Sequence, residues 1–265
     1  MAVDEQIVNF IEELEEKRAA TRLSGSSKLL KLMSLKYIRE DIGQDDIENI
    51  IKVASRGVSK DSPESANCTQ ILSLCYITFP LDDPDIYKKV STCLRDAILN
   101  GSETLQIQAI NALCLISFLD KVDETVIDEI LILLKSMISN PSTKESVLEA
   151  LLAGFCLLYT EASHHPSQTP FNSLLETFIK LLDSSSVQVR ILTGECIALL
   201  IEALRELDED MNSYIDSMQV LLEKINALST ESAKHISKAD KTLQKAKFRD
   251  IQKSIEVDQG AIFID

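Results

Sequence analysis

Apolar residues recur along this chain at helical spacing, broken by short polar stretches that carry proline, glycine or serine. Ile7, Ile11 and Leu14 mark one face of a first predicted helix, and a second apolar stretch after Arg18 carries Leu29, Leu30, Leu32 and Met33. Asp45-Asp46 opens a third, with Ile47, Ile50, Ile51 and Val53 as its apolar positions. Ser62-Pro63 reads as the start of a fourth, with serine as N-cap and proline in the first turn, where its missing N–H costs no hydrogen bond. Phe79-Pro80-Leu81-Asp82-Asp83-Pro84-Asp85 closes that helix and opens the next, whose apolar positions include Ile86, Val90, Cys93 and Leu94. Asn100-Gly101-Ser102 and Asn140-Pro141-Ser142 repeat this grammar, and Ser184-Ser185-Ser186 reads as a further helix cap.

One largely apolar pattern occurs four times: Ile71-Leu72-Ser73-Leu74-Cys75, Ile110-Asn111-Ala112-Leu113-Cys114, Leu152-Ala153-Gly154-Phe155-Cys156 and Leu192-Thr193-Gly194-Glu195-Cys196, with the cysteines 39, 42 and 40 residues apart. Each copy continues through four uncharged residues, Tyr76 to Phe79, Leu115 to Phe118, Leu157 to Thr160 and Ile197 to Leu200. A helical unit of about forty residues cannot bury its own apolar face and does so by stacking on its neighbours, as HEAT and armadillo repeats do. The sequence therefore predicts an all-α, armadillo/HEAT-like right-handed solenoid of helical pairs, with an extended surface suited to macromolecular partners.

Composition sharpens this picture by exclusion. Only 7 Gly and 6 Pro interrupt 265 residues, which favours long helices. No window of eighteen residues is apolar and uncharged, so no membrane partner is expected. Met1-Ala2-Val3-Asp4-Glu5 lacks the basic start and apolar core of a secretory signal, so a cytoplasmic location is expected, with the nucleus as a second compartment. In that setting the six cysteines are expected as reduced thiols filling core space. Cys68 and Cys75 have no CxxC pair or nearby histidine, and His164-His165, in the polar insertion from Glu161 to Thr169, has no partner at ligand spacing. Neither a metal nor a cofactor is expected. No glycine-rich phosphate loop and no set of nucleophile, base and orienting group stands out, so no small-molecule substrate and no catalysis is expected.

Charge separates one segment from the rest. The formal net charge is −15, yet between Lys234 and Lys253 the residues Lys234, Lys238, Lys241, Lys245, Lys247, Arg249 and Lys253 face only Asp240 and Asp250. Of the 27 basic and 42 acidic residues, 20 and 40 therefore lie elsewhere. Lys234, Lys238, Lys241, Lys245 and Arg249 follow steps of 4, 3, 4 and 4, which places all five on one helix face. Ile236, Ala239, Leu243, Ala246 and Ile251 fall on the other side, and Lys247 lies off the ridge. Such a ridge is either an ordinary solvated face or a surface whose ammonium groups follow a nucleic-acid backbone without reading its bases.

From Val187 to Glu202, through Arg190, Gly194-Glu195 and Ala198-Leu199-Leu200, and then at Lys247-Phe248-Arg249-Asp250-Ile251, the chain resembles the interferon-related developmental regulator family. Near the other end, Lys17-Arg18-Ala19-Ala20-Thr21-Arg22 is similar to the family's early Lys-Arg-x-x-Thr-Arg segment. The resemblance implies an armadillo-like domain that binds partners, with two roles in the family. One is occupation of translationally inactive ribosomes by a helix in the tRNA and mRNA path; the other is transcriptional co-regulation. It also implies a further C-terminal region after the segment matching Ala261 to Asp265.

The reading that joins these observations has residues 1–233 as a helical-repeat body, 234–256 as a basic helix and 257–265 as an apolar tail. The expected partner is the ribosome, through rRNA and ribosomal proteins, with transcriptional regulators as the rival. Lys234, Lys238, Lys241, Lys245, Lys247 and Arg249 are the expected RNA contacts. Arg190, Gly194, Glu195 and Phe248 are expected to be structural: the charged residues tie repeats together and Gly194 permits close helix packing. Phe248 either anchors the last helix or stacks on a base, with packing favoured.

Overall fold

The computed structural model describes residues 3–40, 42–81, 83–162, 171–206, 215–230 and 237–256. His164, His165, Lys234, Ile236 and the tail 257–265 lie outside the described residues. Among those described there are twelve α-helices and no strand. They are α1 (Val3–Glu15), α2 (Ala19–Leu35), α3 (Gln44–Val58), α4 (Ser65–Thr78), α5 (Pro84–Asn100), α6 (Glu103–Leu119), α7 (Glu124–Ile138), α8 (Glu145–Tyr159), α9 (Phe171–Leu181), α10 (Val187–Glu206), α11 (Ile215–Thr230) and α12 (Lys238–Glu256). None of these helices is long and apolar enough to cross a membrane.

Two units divide the chain, Met1–Asp123 with α1 to α6 and Glu124–Asp265 with α7 to α12. In the first, α1 packs on α2, α3 on α4 and α5 on α6, while α2, α4 and α6 form one row and α1, α3 and α5 another. In the second, α7 pairs with α8, α9 with α10 and α11 with α12; α10 lies between α8 and α12, and α9 contacts α11. The sequence pattern follows from this layering. Outer α3 has one covered face and buries a single stripe containing Ile47, Ile50, Ile51, Ala54 and Val58. Inner α6, packed on both α4 and α5, buries Leu105, Ala109, Ile110, Leu113, Cys114 and Ile116 from several sides.

The period of forty reappears as the separation between hydrogen-bond partners on successive pairs. Asn67 donates to the Ser26 and Ser27 hydroxyls, each at 3.0 Å. The Ser102 backbone N–H and hydroxyl donate to the Asp61 carboxylate at 2.9 and 2.8 Å. Ser186 donates to Glu149 at 3.1 Å, and Lys224 pairs with Asp183. These partners stand 37 to 41 residues apart.

The punctuation behaves unevenly. Pro84 opens α5, and the Asp83 carboxylate accepts the Asp85 N–H at 2.8 Å. Ser62-Pro63, by contrast, falls in a turn before α4, which starts at Ser65. The Ser65 hydroxyl accepts the Ser62 N–H at 2.8 Å and donates to the Gly57 carbonyl at 2.7 Å, so the chain is tied down three residues later than the serine-proline signal suggests. Gly57 is required by closeness: a Cβ there would stand 2.4 Å from the Cys68 sulfur. Cys75, Cys114, Cys156 and Cys196 lie on α4, α6, α8 and α10 as the repeat register requires, and all six cysteines are free.

Candidate nucleic-acid interface

α12 is seated against α10 and α11 at three levels. At its start Ser237 caps the helix, its hydroxyl accepting the Asp240 N–H at 3.1 Å and donating to the Asp240 carboxylate at 2.7 Å. On its inner face Gln244 is buried and its Oε1 accepts from Arg190 Nε at 3.1 Å and Nη2 at 2.6 Å, while its Nε2 donates to the Leu228 carbonyl of α11 at 3.3 Å. Arg190, only 6% exposed, also donates to the Ser184 and Ser185 carbonyls. Those acceptors are neutral, so the buried guanidinium is held by hydrogen bonds, which is how a buried charge is tolerated.

One turn on, Phe248 is fully buried and faces Gly194. A Cβ on Gly194 would lie 2.7 Å from Ile251 Cδ1 and 3.1 Å from Phe248 Cε1, so the missing side chain is the notch into which α12 fits. At the far end Arg205 donates to the Ser254 and Ile255 carbonyls, satisfying the last turn of α12. Arg190, Gly194, Glu195 and Phe248 thus meet in one helix–helix contact. Phe248 occupies core space and offers no face to a base.

This seating fixes which way the basic residues point. The buried positions are Gln244, Phe248, Ile251 and Ile255. Lys238 and Arg249 are exposed, and Lys241 and Lys245 are half-buried along the flank of the buried stripe. Over the eleven steps from Lys238 to Arg249 the row runs about 16 Å along the helix. Lys247 stands on the opposite flank and donates to Glu195 at 2.9 Å, which holds its ammonium above the ordinary lysine range. The structure gives Lys247 a docking contact on the body and sets it apart from the row.

The apolar positions opposite the ridge divide between core and surface. Ile251 is buried, but Ala239 and Ala246 are exposed and Leu243 is 46% exposed. The helix is rotated because the Gly194 notch takes the aromatic ring and Arg190 takes Gln244, so a polar side chain holds an inner position that hydrophobicity alone assigns to leucine.

The early basic segment has a different role. Arg22 donates to the Glu16 and Lys17 carbonyls at 3.2 and 2.7 Å, closing the α1–α2 turn, and forms an ion pair with the fully buried Glu64 at the start of α4. Burial pushes the Glu64 carboxyl up, but hydrogen bonds from Arg22, the backbone and Ser62 outweigh it and hold the group below the usual carboxylate range. Sequence reasoning did not single out Glu64. Its only signal is its place one repeat after Arg22. Among the described residues no group of three or more His, Cys, Asp or Glu is arranged to hold a metal ion.

A sequence model described as Interferon-related developmental regulator (IFRD) matches residues 1–256. The human protein named Interferon-related developmental regulator 1 is 26% identical over 262 residues, covering 91% of this chain and 56% of its own length. Mouse Interferon-related developmental regulator 2 is 33% identical over 116 residues, 44% of this chain and 26% of its own length. The chain thus spans little more than half the length of the first of these relatives. In fold it is similar to a designed armadillo repeat protein, at TM-score 0.59 and 13% identity over 94% of this chain and 99% of the other. It is also similar to an archaeal HEAT-like repeat protein from Thermococcus onnurineus NA1, at TM-score 0.58 and 12% identity over 93% of this chain and 88% of the other.

Proposed function

The chain belongs to the interferon-related developmental regulator family, and from that premise we propose that it is a non-catalytic ribosome-binding protein whose basic helix lies in the tRNA and mRNA path and keeps the ribosome translationally inactive. The observation that carries this reading is the row Lys238, Lys241, Lys245 and Arg249 on a helix fastened to its body by Arg190, Gly194 and Arg205. A fastened helix presents its charges without losing much conformational freedom on binding, and ammonium groups on adjacent turns suit a phosphate backbone. Lys234, which precedes the Ser237 cap and lies outside the described residues, is proposed as a fifth phosphate contact. The body, with its acidic excess, complements basic ribosomal proteins, so both halves of the charge distribution are used. Inhibition is steric: a helix in the path excludes tRNA and mRNA.

The test is co-sedimentation of the full chain with purified ribosomes at low salt, comparing wild type with a Lys238→Glu, Lys241→Glu, Lys245→Glu variant whose helical content is checked by circular dichroism. Wild type pellets with ribosomes and inhibits translation of a reporter mRNA; the variant does neither. Equal pelleting by both proteins removes α12 from the contact. No pelleting by wild type moves the function to the rival reading, a nuclear co-regulator scaffold that holds protein partners on its helical surface.

A further inference from the structure

The repeat register places two cysteines in contact in the second unit. Cys156 of α8 and Cys196 of α10 occupy equivalent positions 40 residues apart, and their sulfurs are 3.0 Å from each other. That is about 1 Å beyond the length of a disulfide bond, with both residues on helices that pack directly. We propose that Cys156 and Cys196 form a dithiol modification site whose co-substrate is a peroxide, which converts the pair into a disulfide joining α8 to α10.

Access and selectivity support this. Cys156 is half-buried, so solvent reaches one member of the pair, whereas Cys196 is fully buried. Burial and the neighbouring Cys156 thiol push the Cys196 thiol well up, which leaves Cys156 as the sulfur that meets oxidant first. In the first unit the register counterparts Cys75 and Cys114 are both buried, and their thiols are pushed up to about 12. Cys68 is buried likewise and raised to about 12, and Cys93 donates to the Val90 carbonyl. Among the described residues no other pair of cysteine sulfurs stands in contact.

The chemistry balances with the peroxide alone. The Cys156 thiolate attacks one peroxide oxygen, the O–O bond breaks, and the sulfur becomes a sulfenic acid while the departing hydroxide takes a proton to leave as water. The Cys196 sulfur then attacks Cys156, forms the S–S bond and expels the hydroxyl, which leaves as water with the Cys196 proton. Two thiols are oxidised and one peroxide is reduced to two waters. Cys196 adjoins Gly194 and Glu195, the seat of α12, so the bond stiffens the helix on which α12 is docked.

The experiment treats the reduced full chain with hydrogen peroxide, blocks remaining thiols by alkylation, and maps peptides by mass spectrometry without reduction. Expected are the loss of two of the six titratable thiols, one linked peptide pair containing Cys156 and Cys196, reversal by dithiothreitol, and a rise of several degrees in thermal midpoint. Cys156→Ser, at the half-exposed position, abolishes both the linkage and the thermal shift and leaves the circular dichroism spectrum unchanged. Cys75→Ser alters neither the linkage nor the shift. Retention of all six thiols overturns the proposal, as does a Cys156 sulfinic acid without pairing or a linkage from Cys156 to any other cysteine.

Discussion

Arg22 and Glu64 show how much one residue pair can bear. Glu64 is fully buried, and its Oε2 has no hydrogen-bond partner among the described residues, so its charge depends on Arg22 and the donors around Oε1. Removing one member of a buried pair leaves the other charge uncompensated, and Arg22→Ala is expected to destabilise the chain by about 3 kcal/mol or more at neutral pH, read by urea unfolding. The pH dependence follows from the same pair. Because the folded carboxyl is held below its ordinary value of 4.5, its stabilisation is present above that value and disappears as pH falls through the lower folded one. Arg22→Ala removes the largest of the contacts that oppose burial and leaves only the backbone and Ser62 hydrogen bonds against it, so its acid unfolding begins at higher pH than in wild type. At Gly194 two effects oppose: an added methyl gains about 1 kcal/mol of helix propensity but stands 2.7 Å from Ile251 Cδ1 and 3.1 Å from Phe248 Cε1, so the Ile251 side chain and the ring must give way. A β-branched side chain gains less and clashes more, so Gly194→Val is expected to cost about 1–3 kcal/mol and to speed proteolysis within α12. Sequence assigns Gly194 a packing role without naming the side chains it meets, and assigns Glu64 none, because the reason for each residue lies on another helix.

α12 is where sequence and structure agree in part. The spacing of Lys238, Lys241, Lys245 and Arg249 is enough to gather them on one side of a helix, and they do share it. What spacing cannot give is the rotation of that helix on the body. The exposed Ala239, Leu243 and Ala246 form the more regular apolar stripe, whereas the buried face contains Gln244. A glutamine turns inward only when a partner such as Arg190, 54 residues away, satisfies it there. Phe248 is the anchor of this element. Phe248→Ala removes a fully buried ring from the Gly194 notch and is expected to cost about 3–5 kcal/mol. The loss is concentrated in α12, so hydrogen exchange of its amides rises well before that of α8, a difference measurable by mass spectrometry.

At the scale of the molecule, the repeat period was the legible feature. A cysteine register of about forty residues is enough to predict helical pairs, and the helix order, the rows of inner helices and the hydrogen bonds between residues some forty apart express the same period. Charge was legible as well, since a single basic helix in an acidic chain needs no structure to be seen. Its use is an electrostatic claim, and salt tests it most directly. The measurement is the dissociation constant of the full chain for purified ribosomes at a series of potassium chloride concentrations, with wild type and the Lys238→Glu, Lys241→Glu, Lys245→Glu variant side by side. Contact with about five phosphates predicts a log-log slope of about −3.5 to −4.5 for wild type, and a much weaker, flatter dependence for the variant. A wild-type affinity that is insensitive to salt, or a variant that binds as tightly with the same slope, would contradict the assignment of α12 as the RNA-contacting helix.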